Sequence, residues 1–287
     1  YVEDIDWAEV TIGWKIINGS LLSYAVELAK NSDIVILVVG SSNATEEELH
    51  DRISMDLLPE QQKLVRKVFS VNPNTVMVLV NGSPVSINWE NENIPAILEA
   101  WYPGQEGGNA ISDIIFGDYN PNGKLPITFY KSVNQLPDFY DYDITKGRTY
   151  MYLKEKPLYP FGYGLSYTSF ELSNFSVNKN IFNFKDTIVV SLMIKNTGKL
   201  DGSEVVQLYT HHHHSSKYTP LKKLRSFKKV LLNTNEEKHM KLYVPISSLV
   251  AYSLKKKKDY LEEGNYDILL GTSSENILFK TKINISY

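Results

Sequence analysis

Two uninterrupted runs of apolar, mostly β-branched residues constrain the fold of the first half of the chain most. They cover residues 34–39, within SDIVILVVG, and residues 75–80, and each follows a segment with the apolar spacing of a helix, 21–30 and 59–69. A strand that is apolar at every position is typical of parallel sheets that are buried on both faces by helices. The sequence therefore predicts an α/β sandwich, a largely parallel sheet flanked by helices. A third cycle, with a strand over 94–101 and a helix from Gly107 to Phe116, extends it.

The pattern changes after Phe170. Alternating apolar and polar segments at 187–194, 204–209, 238–244 and 266–270 are separated by Asn-Thr-Gly, Asp-Gly and Glu-Gly-Asn turns. No helix long enough for a crossover intervenes. Short strands at this spacing predict an all-β sandwich of the immunoglobulin or fibronectin type III kind.

The length of 287 residues fits two domains at ~100–200 residues each. We predict an α/β domain over residues 1–133 and a β-sandwich over 168–287. The intervening residues 134–167 are rich in Pro, Gly and Tyr, and we predict a linker that its aromatic side chains keep ordered. Because the chain starts in mid-pattern without Met, we expect a processed or truncated product.

Composition narrows the chemistry. The chain has no cysteine, which excludes disulfides, thiolate metal sites and a cysteine nucleophile. No apolar run approaches the ~20 residues of a membrane helix, so we expect no membrane span. The second half is basic, but its lysines form short clusters without an aromatic reading surface, so nucleic acid is not an expected partner.

Four consecutive histidines, 211–214, are the one low-complexity feature. Neighbouring imidazoles point in different directions and supply no preorganised metal geometry. We expect an exposed loop or an engineered insertion here, and neither a metal nor a cofactor.

An acidic loop follows the first buried strand, in SSNATEEELHDRISMDLLPEQQKLV. It contains Glu46, Glu47, Glu48, Asp51 and Arg52 at the carboxyl end of a strand, where α/β sheets bind ligands. A loop carboxylic acid near an apolar substrate or a second carboxylate can have its pKa raised enough to donate a proton near neutrality. A pair formed by Asp51 and Arg52 would order the loop. The same run also fits a solvated acidic cap before a helix, and the spacing leaves both interpretations open.

A second segment, AWYPGQEGGNAISD, combines aromatic residues with a glycine-rich turn into a helix. The N–H groups at such a helix start can receive an anion or a sugar hydroxyl, although a G-x-G-x-x-G fingerprint and a Walker lysine are missing. Trp101 and Tyr102 are candidates for a carbohydrate subsite, with core packing as the alternative.

Four blocks of sequence carry a family resemblance. LPEQQKLV, VLVNGSPVSINW, ILEAWYPGQEGGNAISDIIFGDYNPNGKLPITFY and RTYMYLKEKPLYPFGYGLSYTSF occur in this order and resemble the C-terminal half of family 3 glycoside hydrolases. VVSLMIKNTGKLDGSEVVQLY and LKKLRSFKKVLL resemble the fibronectin-III-like domain that ends many members. Residues 101–167 are most similar to β-glucosidase and β-xylosidase members.

The resemblance implies a retaining, exo-acting β-glycosidase that hydrolyses oligo- or aryl β-glycosides at the non-reducing end. In that family an Asp nucleophile on an N-terminal TIM barrel works with a Glu acid/base from a loop of the α/β sandwich. The E-x-x-D-R spacing favours Glu48 as the acid/base, with Glu46 in reserve. The barrel is missing from this sequence, so we expect it as the partner, from the same gene or a separate chain, and we expect the chain alone to be inactive.

Two further expectations concern location and rival functions. The family suggests a secreted or periplasmic protein, and sequons at Asn18, Asn43, Asn81, Asn174 and Asn284 permit glycosylation on a eukaryotic secretory route. A non-catalytic carbohydrate-binding or scaffold fragment is the alternative function, since β-sandwiches often mediate interactions. A serine hydrolase is disfavoured because no G-x-S-x-G motif occurs.

Overall fold

The structure is a computed structural model that describes residues 21–42, 45–49, 51–213, 219–253 and 257–286. The chain divides into two compact units. The first contains Leu57–Val80, Trp89–Glu99 and the described residues up to Gly40, and the second contains Ser41–Asp56, Asn81–Asn88 and everything from Ala100 onward. In the described residues, no helix is long and apolar enough to cross a membrane.

The first unit is a three-stranded parallel sheet with helices. Its strands lie in the order β1-β2-β3, with Val35 of β1 opposite Thr75 of β2 and Val76 of β2 opposite Ala96 of β3. The elements are, in chain order, α1 (Leu21–Lys30), β1 (Val35–Gly40), α2 (Pro59–Val71), β2 (Thr75–Val80), α3 (Asn88–Asn93) and β3 (Ala96–Glu99). The predicted parallel α/β architecture is confirmed.

The two long strands differ in burial. The central strand β2 is buried through Met77, Val78 and Leu79, as its uninterrupted apolar sequence predicts. At the edge strand β1, Ile36 and Val38 are exposed, so the prediction of burial on both faces is wrong there within the described residues. Its other face is buried, because α2 packs against β1.

The side chain of Asn72 stabilises the turn at Asn-Pro-Asn between α2 and β2. The Asn72 amide nitrogen donates to the carbonyls of Ala29 at 2.9 Å and Ser32 at 2.6 Å, and its oxygen accepts from the N–H of Asn74 at 3.0 Å. One buried side chain thus satisfies the backbone at the end of α1 and at the start of the turn, as buried polar groups require.

The short helix α3 was not predicted, because NWENEN has no apolar helical repeat. Tertiary packing stabilises it instead. The Trp89 ring lies edge-on to Phe69, with centroids 5.9 Å apart, and the Arg66 guanidinium lies 5.2 Å from the Trp89 centroid.

The second unit ends in a β-sandwich, which confirms the all-β prediction. One sheet has the strand order β5-β13-β12-β7-β8, and the other has the order β4-β6-β9. The strands β10 and β11 form a separate two-stranded ribbon. The pairing is antiparallel except between β13 and β5. The elements of this unit are α4 (Gly107–Phe116), α5 (Thr149–Tyr152), β4 (Phe170–Val177), β5 (Ile181–Phe182), β6 (Thr187–Asn196), β7 (Gly202–His212), β8 (Lys223–Leu232), β9 (Glu237–Pro245), β10 (Ala251–Ser253), β11 (Lys258–Tyr260), β12 (Gly264–Gly271) and β13 (Ile277–Ile285).

The core of the sandwich follows from the strict alternation of buried and more accessible side chains along its strands. Along β6 every second residue is buried, and these side chains meet buried residues of β7 and β12 in one apolar cluster. Residues i and i+2 point to the same face of a strand, so alternation alone assigns the core face. The members of the cluster from these strands include Ile188, Val190, Leu192, Ile194, Val206, Leu208, Ile268 and Leu270.

The histidine run lies largely in a strand. His211 and His212 end β7, so the expectation of an exposed loop is wrong for them, and His214 lies outside the described residues. The His213 Nε2 lies 2.7 Å from the Oδ1 of Asp267, whose other oxygen lies 2.7 Å from Lys280 Nζ. Desolvation opposes ionisation of this buried carboxylate, but hydrogen bonds from Lys280 and His213 outweigh it and lower the pKa of Asp267.

The segment predicted as a linker packs through aromatic rings. Tyr150 stacks on Phe161 with centroids 4.3 Å apart and meets Tyr209 of β7 edge-on at 6.0 Å. Gln207 of β7 donates from its amide nitrogen to the Gly162 carbonyl at 3.1 Å. Asn81, the asparagine of the NGS sequon, is fully buried, so its side chain is not an accessible glycosylation site.

A substitution at Gly162 would show how tightly this segment is packed against β7. Its φ is +81°, and a Cβ there would lie 2.1 Å from the Gln207 Oε1. We expect Gly162→Ala to destabilise the protein by about 3 kcal/mol, because a left-handed non-glycine residue costs about 1–2 kcal/mol and a displaced buried amide costs a similar amount. The midpoint of urea unfolding measures this. Gly123→Ala is the control, since a Cβ at Gly123 meets nothing within 4 Å; equal shifts for the two variants would contradict the prediction.

Candidate active site

Three loop segments of the second unit meet at the carboxylate of Glu46. Ser41 directly follows β1, Gly82 and Ser83 follow β2, and Tyr102 follows β3. Each contributes a hydrogen-bond donor to Glu46. The segments that come after successive strands of a parallel sheet are therefore joined by one side chain.

Both oxygens of Glu46 are fully engaged. Oε1 accepts from the Gly82 N–H at 2.7 Å, the Ser41 hydroxyl at 2.6 Å and the Tyr102 hydroxyl at 2.8 Å. Oε2 accepts from the Ser83 hydroxyl at 2.6 Å and lies 3.3 Å from the Arg52 Nε. The side chain is 13% exposed. A carboxylate offers about four lone-pair sites, so this set of donors leaves Glu46 no capacity for a further ligand.

Burial and hydrogen bonding act on Glu46 in opposite directions. Desolvation raises its pKa, but the hydrogen bonds from Ser41, Ser83, Gly82 and Tyr102 together outweigh it and lower the pKa to about 2. The Tyr102 hydroxyl shows the converse, since desolvation and its bond to the Glu46 anion raise its pKa. Glu46 is therefore an anion throughout the physiological range.

Arg52 completes the set of donors around Glu46. Its Nη2 donates to the Ser83 hydroxyl at 2.8 Å and to the Pro84 carbonyl at 2.7 Å, while its Nε faces Glu46. The Ser83 hydroxyl thus contacts both Glu46 and Arg52, and the seven-residue segment 46–52 closes on a single oxygen. Asp51, the other residue expected to order the loop, is exposed. We call Glu46, Arg52, Ser41, Gly82, Ser83 and Tyr102 the Glu46 clamp.

Gly82 is required by the closeness of this packing. A Cβ at Gly82 would lie 2.6 Å from a ring carbon of Tyr102 and 3.0 Å from Glu46 Oε1. Any larger residue would push apart the Tyr102 ring and the carboxylate.

Glu48 lies inside the closed segment and has a different environment. Its side chain is exposed, and the next residue, Leu49, has a φ of +71° with 92% of its surface accessible. Ile53, directly after Arg52, is 97% exposed. A leucine in the left-handed region costs about 1–2 kcal/mol, and backbone strain of this kind is concentrated at functional sites. His50 lies outside the described residues.

The aromatic candidates have distinct surroundings. Tyr102 is about half exposed although its hydroxyl belongs to the Glu46 clamp. Trp101 has a φ of +53°, and its ring contacts Phe129 edge-on, with centroids 5.9 Å apart. Among the described side chains, no group of three or more His, Asp or Glu is arranged to hold a metal ion.

Sequence reasoning missed Ser41, Gly82 and Ser83. The available signal was positional: Ser-Ser follows one buried strand, Asn-Gly-Ser follows the next, and the residues after parallel strands share one edge of a sheet. These residues donate hydrogen bonds without carrying a charge, so no charge pattern marks them in the sequence.

The fold is that of a glycoside hydrolase C-terminal region. Residues 12–167 match the glycosyl hydrolase family 3 C-terminal domain, and residues 204–274 match a fibronectin type III-like domain. The chain belongs to glycosyl hydrolase family 3, as the sequence resemblance predicted.

Individual relatives agree with this family assignment. A periplasmic β-glucosidase of Salmonella typhimurium is 36% identical over 90% of this chain, and a β-xylosidase of Formosa agariphila is 39% identical over 90%. The crystal structure of a Kluyveromyces marxianus β-glucosidase in complex with glucose matches 93% of this chain with a TM-score of 0.84 and 37% identity. The chain spans only about a third of these proteins: 35%, 36% and 33%, respectively.

The depressed pKa of Glu46 predicts a pH-dependent contribution to stability. Because its folded pKa is about 2 and its ordinary value is 4.5, the anion stabilises the fold above pH 4.5, and this contribution disappears as the pH falls toward 2. We expect Glu46→Gln to destabilise the protein at pH 7 by on the order of 2 kcal/mol, and the difference from wild type to shrink between pH 4.5 and pH 2.

Urea unfolding at a series of pH values measures this difference. Glu48→Gln is the matched control, and its effect should stay within about 0.5 kcal/mol, as for exposed positions in general. A Glu46→Gln penalty that does not change with pH would show that the ionised carboxylate is not the stabilising group.

Proposed function

We propose that this chain is the C-terminal part of a retaining, exo-acting β-glycosidase, a β-glucosidase or β-xylosidase, and that Glu48 is its general acid/base. Family membership supports the enzyme class, and the relatives named above include both β-glucosidases and a β-xylosidase. Because the chain spans about a third of those relatives, the activity belongs to a larger protein.

The contrast between Glu46 and Glu48 carries the choice of residue. A general acid must hold a proton at the working pH and must reach the leaving oxygen. Glu46 meets neither requirement, since hydrogen bonds lower its pKa to about 2 and five donors surround its carboxylate. Glu48 lies two residues further along the same closed segment, with its side chain exposed. This contrast selects Glu48 over Glu46. Glu47 and Asp51 are exposed as well, and among these residues the E-x-x-D-R spacing selects Glu48.

The proposed reaction divides the work between two carboxylates. A nucleophile on the N-terminal barrel attacks the anomeric carbon while Glu48 protonates the departing glycosidic oxygen, which gives a covalent glycosyl-enzyme and a free aglycone alcohol. Glu48, now ionised, removes a proton from water as the water attacks the anomeric carbon, and the sugar and both carboxyl groups are regenerated. Retaining enzymes place the two carboxyl groups about 5–5.5 Å apart.

The barrel is therefore the proposed partner, from the same gene or a separate chain. Leu49 and Ile53 follow Glu48 in the sequence and are almost fully exposed, so burial of this segment by the barrel would give the acid apolar surroundings of the kind that raise the pKa of a catalytic carboxylic acid. On the aglycone side we propose contacts from Tyr102, whose ring is half exposed, and from Trp101.

We further propose a secreted or periplasmic location and domain limits of 1–133, 134–167 and 168–287. One relative is named periplasmic. Fractionation of the source cells tests the location, and limited proteolysis at the two limits tests the division.

Glu48→Gln in the complete enzyme tests the assignment. We expect kcat/KM for a phenyl β-glycoside, which has a poor leaving group, to fall ~10²–10⁴-fold, because general acid catalysis contributes about that much. A 2,4-dinitrophenyl glycoside needs little protonation and should lose far less in the glycosylation step. Glu47→Gln is the matched control, with the same change of charge one residue away. Unchanged turnover by Glu48→Gln, or equal losses in the two variants, would refute the assignment.

The isolated chain provides a second test. We expect no hydrolysis of aryl β-glycosides by residues 1–287 alone and restored hydrolysis when the barrel is supplied. A carbohydrate-binding or scaffold fragment would instead bind an oligosaccharide by itself, with hydrolysis unaffected by mutations of Glu48. Calorimetric titration of the chain with cello- and xylo-oligosaccharides distinguishes the two.

A further inference from the structure

We infer that Glu46 is a positioning residue for the proposed reaction: its carboxylate ties the segment carrying Glu48 to the loops after β2 and β3 and so fixes where Glu48 delivers its proton. The inference rests on the proposed function and deepens it. Glu46 itself does not touch the substrate.

The closure of the segment is the first argument. The Ser83 hydroxyl donates to Glu46 Oε2 at 2.6 Å, and the oxygen of that hydroxyl accepts from Arg52 Nη2 at 2.8 Å. The two ends of the segment 46–52 are thus held at one point, with Glu48 between them. A short loop with both ends fixed has few accessible conformations, which lowers the entropic cost of presenting one side chain in one place.

Backbone strain at Leu49 is the second argument. Leu49 adopts φ +71° immediately after Glu48, and its side chain is 92% exposed. Burial of the side chain therefore does not compensate for the strained backbone. The closed ends of the segment provide the constraint, and strain held in this way is a mark of a preorganised site.

The charge of Glu46 is the third argument. The Gly82 N–H faces Oε1 at 2.7 Å, and the Arg52 Nε–H faces Oε2 at 3.3 Å. Neither group can accept a hydrogen bond. A glutamine at position 46 would therefore turn its NH₂ toward one of these two donors in either orientation, so only a carboxylate satisfies the whole set.

A double-mutant cycle in the complete enzyme tests the inference. The forms are wild type, Glu46→Gln, Glu48→Gln and the double variant, each assayed with phenyl and 2,4-dinitrophenyl β-glycosides. We expect Glu46→Gln to lower kcat/KM for the phenyl substrate by about 10²-fold, the cost of a displacement of roughly 1 Å, and to affect the dinitrophenyl substrate much less. In the Glu48→Gln background, the same change should cost less than about threefold, because residues that act through one another are not additive.

The outcomes separate the two hypotheses. If Glu48→Gln has no effect, the proposed function fails. If Glu48→Gln is impaired but Glu46→Gln is active, or if the two losses multiply in the double variant, the positioning role alone is wrong. Equal losses with both leaving groups for Glu46→Gln would likewise contradict positioning, since general damage to the site does not depend on the leaving group.

A milder variant covers the case in which Glu46→Gln does not fold. Ser83→Ala removes the hydroxyl that Glu46 and Arg52 share and leaves both charges in place. We expect a loss of about tenfold that is again confined to the poor leaving group, since one of several positioning contacts is removed. Ser70→Ala, on the exposed face of α2, is the matched control. If the Ser83→Ala and Ser70→Ala variants had equal activity, the inference would be overturned.

Discussion

One carboxylate organises the loops of this molecule. Glu46 accepts hydrogen bonds from residues that follow three different strands and forms an ion pair with Arg52. Burying a charge is costly unless it is paired and hydrogen-bonded, and the number of donors here meets that condition. If Glu46 were removed, the N–H groups of Gly82 and Arg52 would face an empty site. The conformation of the acidic segment depends on this single anion.

Two glutamates of one short segment therefore have different environments. Hydrogen bonds favour the ionised form of Glu46 and occupy its carboxylate, whereas the side chain of Glu48 is exposed. Environment, and not residue type, separates the roles of neighbouring carboxyl groups in glycosidases generally. The family assignment does not depend on these roles, because the family match covers most of the α/β region and the fibronectin type III-like match lies in the sandwich.

Much of the fold was predictable from the sequence, because helices such as Leu21–Lys30 and strands such as Thr75–Val80 have strong apolar periodicity. Two elements that were missed lack it: α3 depends on Trp89 packing, and β4 is interrupted by a bulge near Asn174. In the site, the E-x-x-D-R spacing favoured Glu48 within the acidic loop but did not show how Glu46 is held. The residues that set Glu46 apart, Gly82, Ser83 and Tyr102, lie 36 to 56 positions away from it, where only the folded chain brings them into contact.

The shared hydroxyl of Ser83 makes the acidic loop sensitive to its length. Glu46 and Arg52 meet at this hydroxyl, and Ser41 holds Glu46 from the amino-terminal side at 2.6 Å. An insertion or deletion of even one residue between Glu46 and Arg52 would shift Glu48 relative to both anchors. Loop grafts should therefore be rejected when they change the number of residues between Glu46 and Arg52.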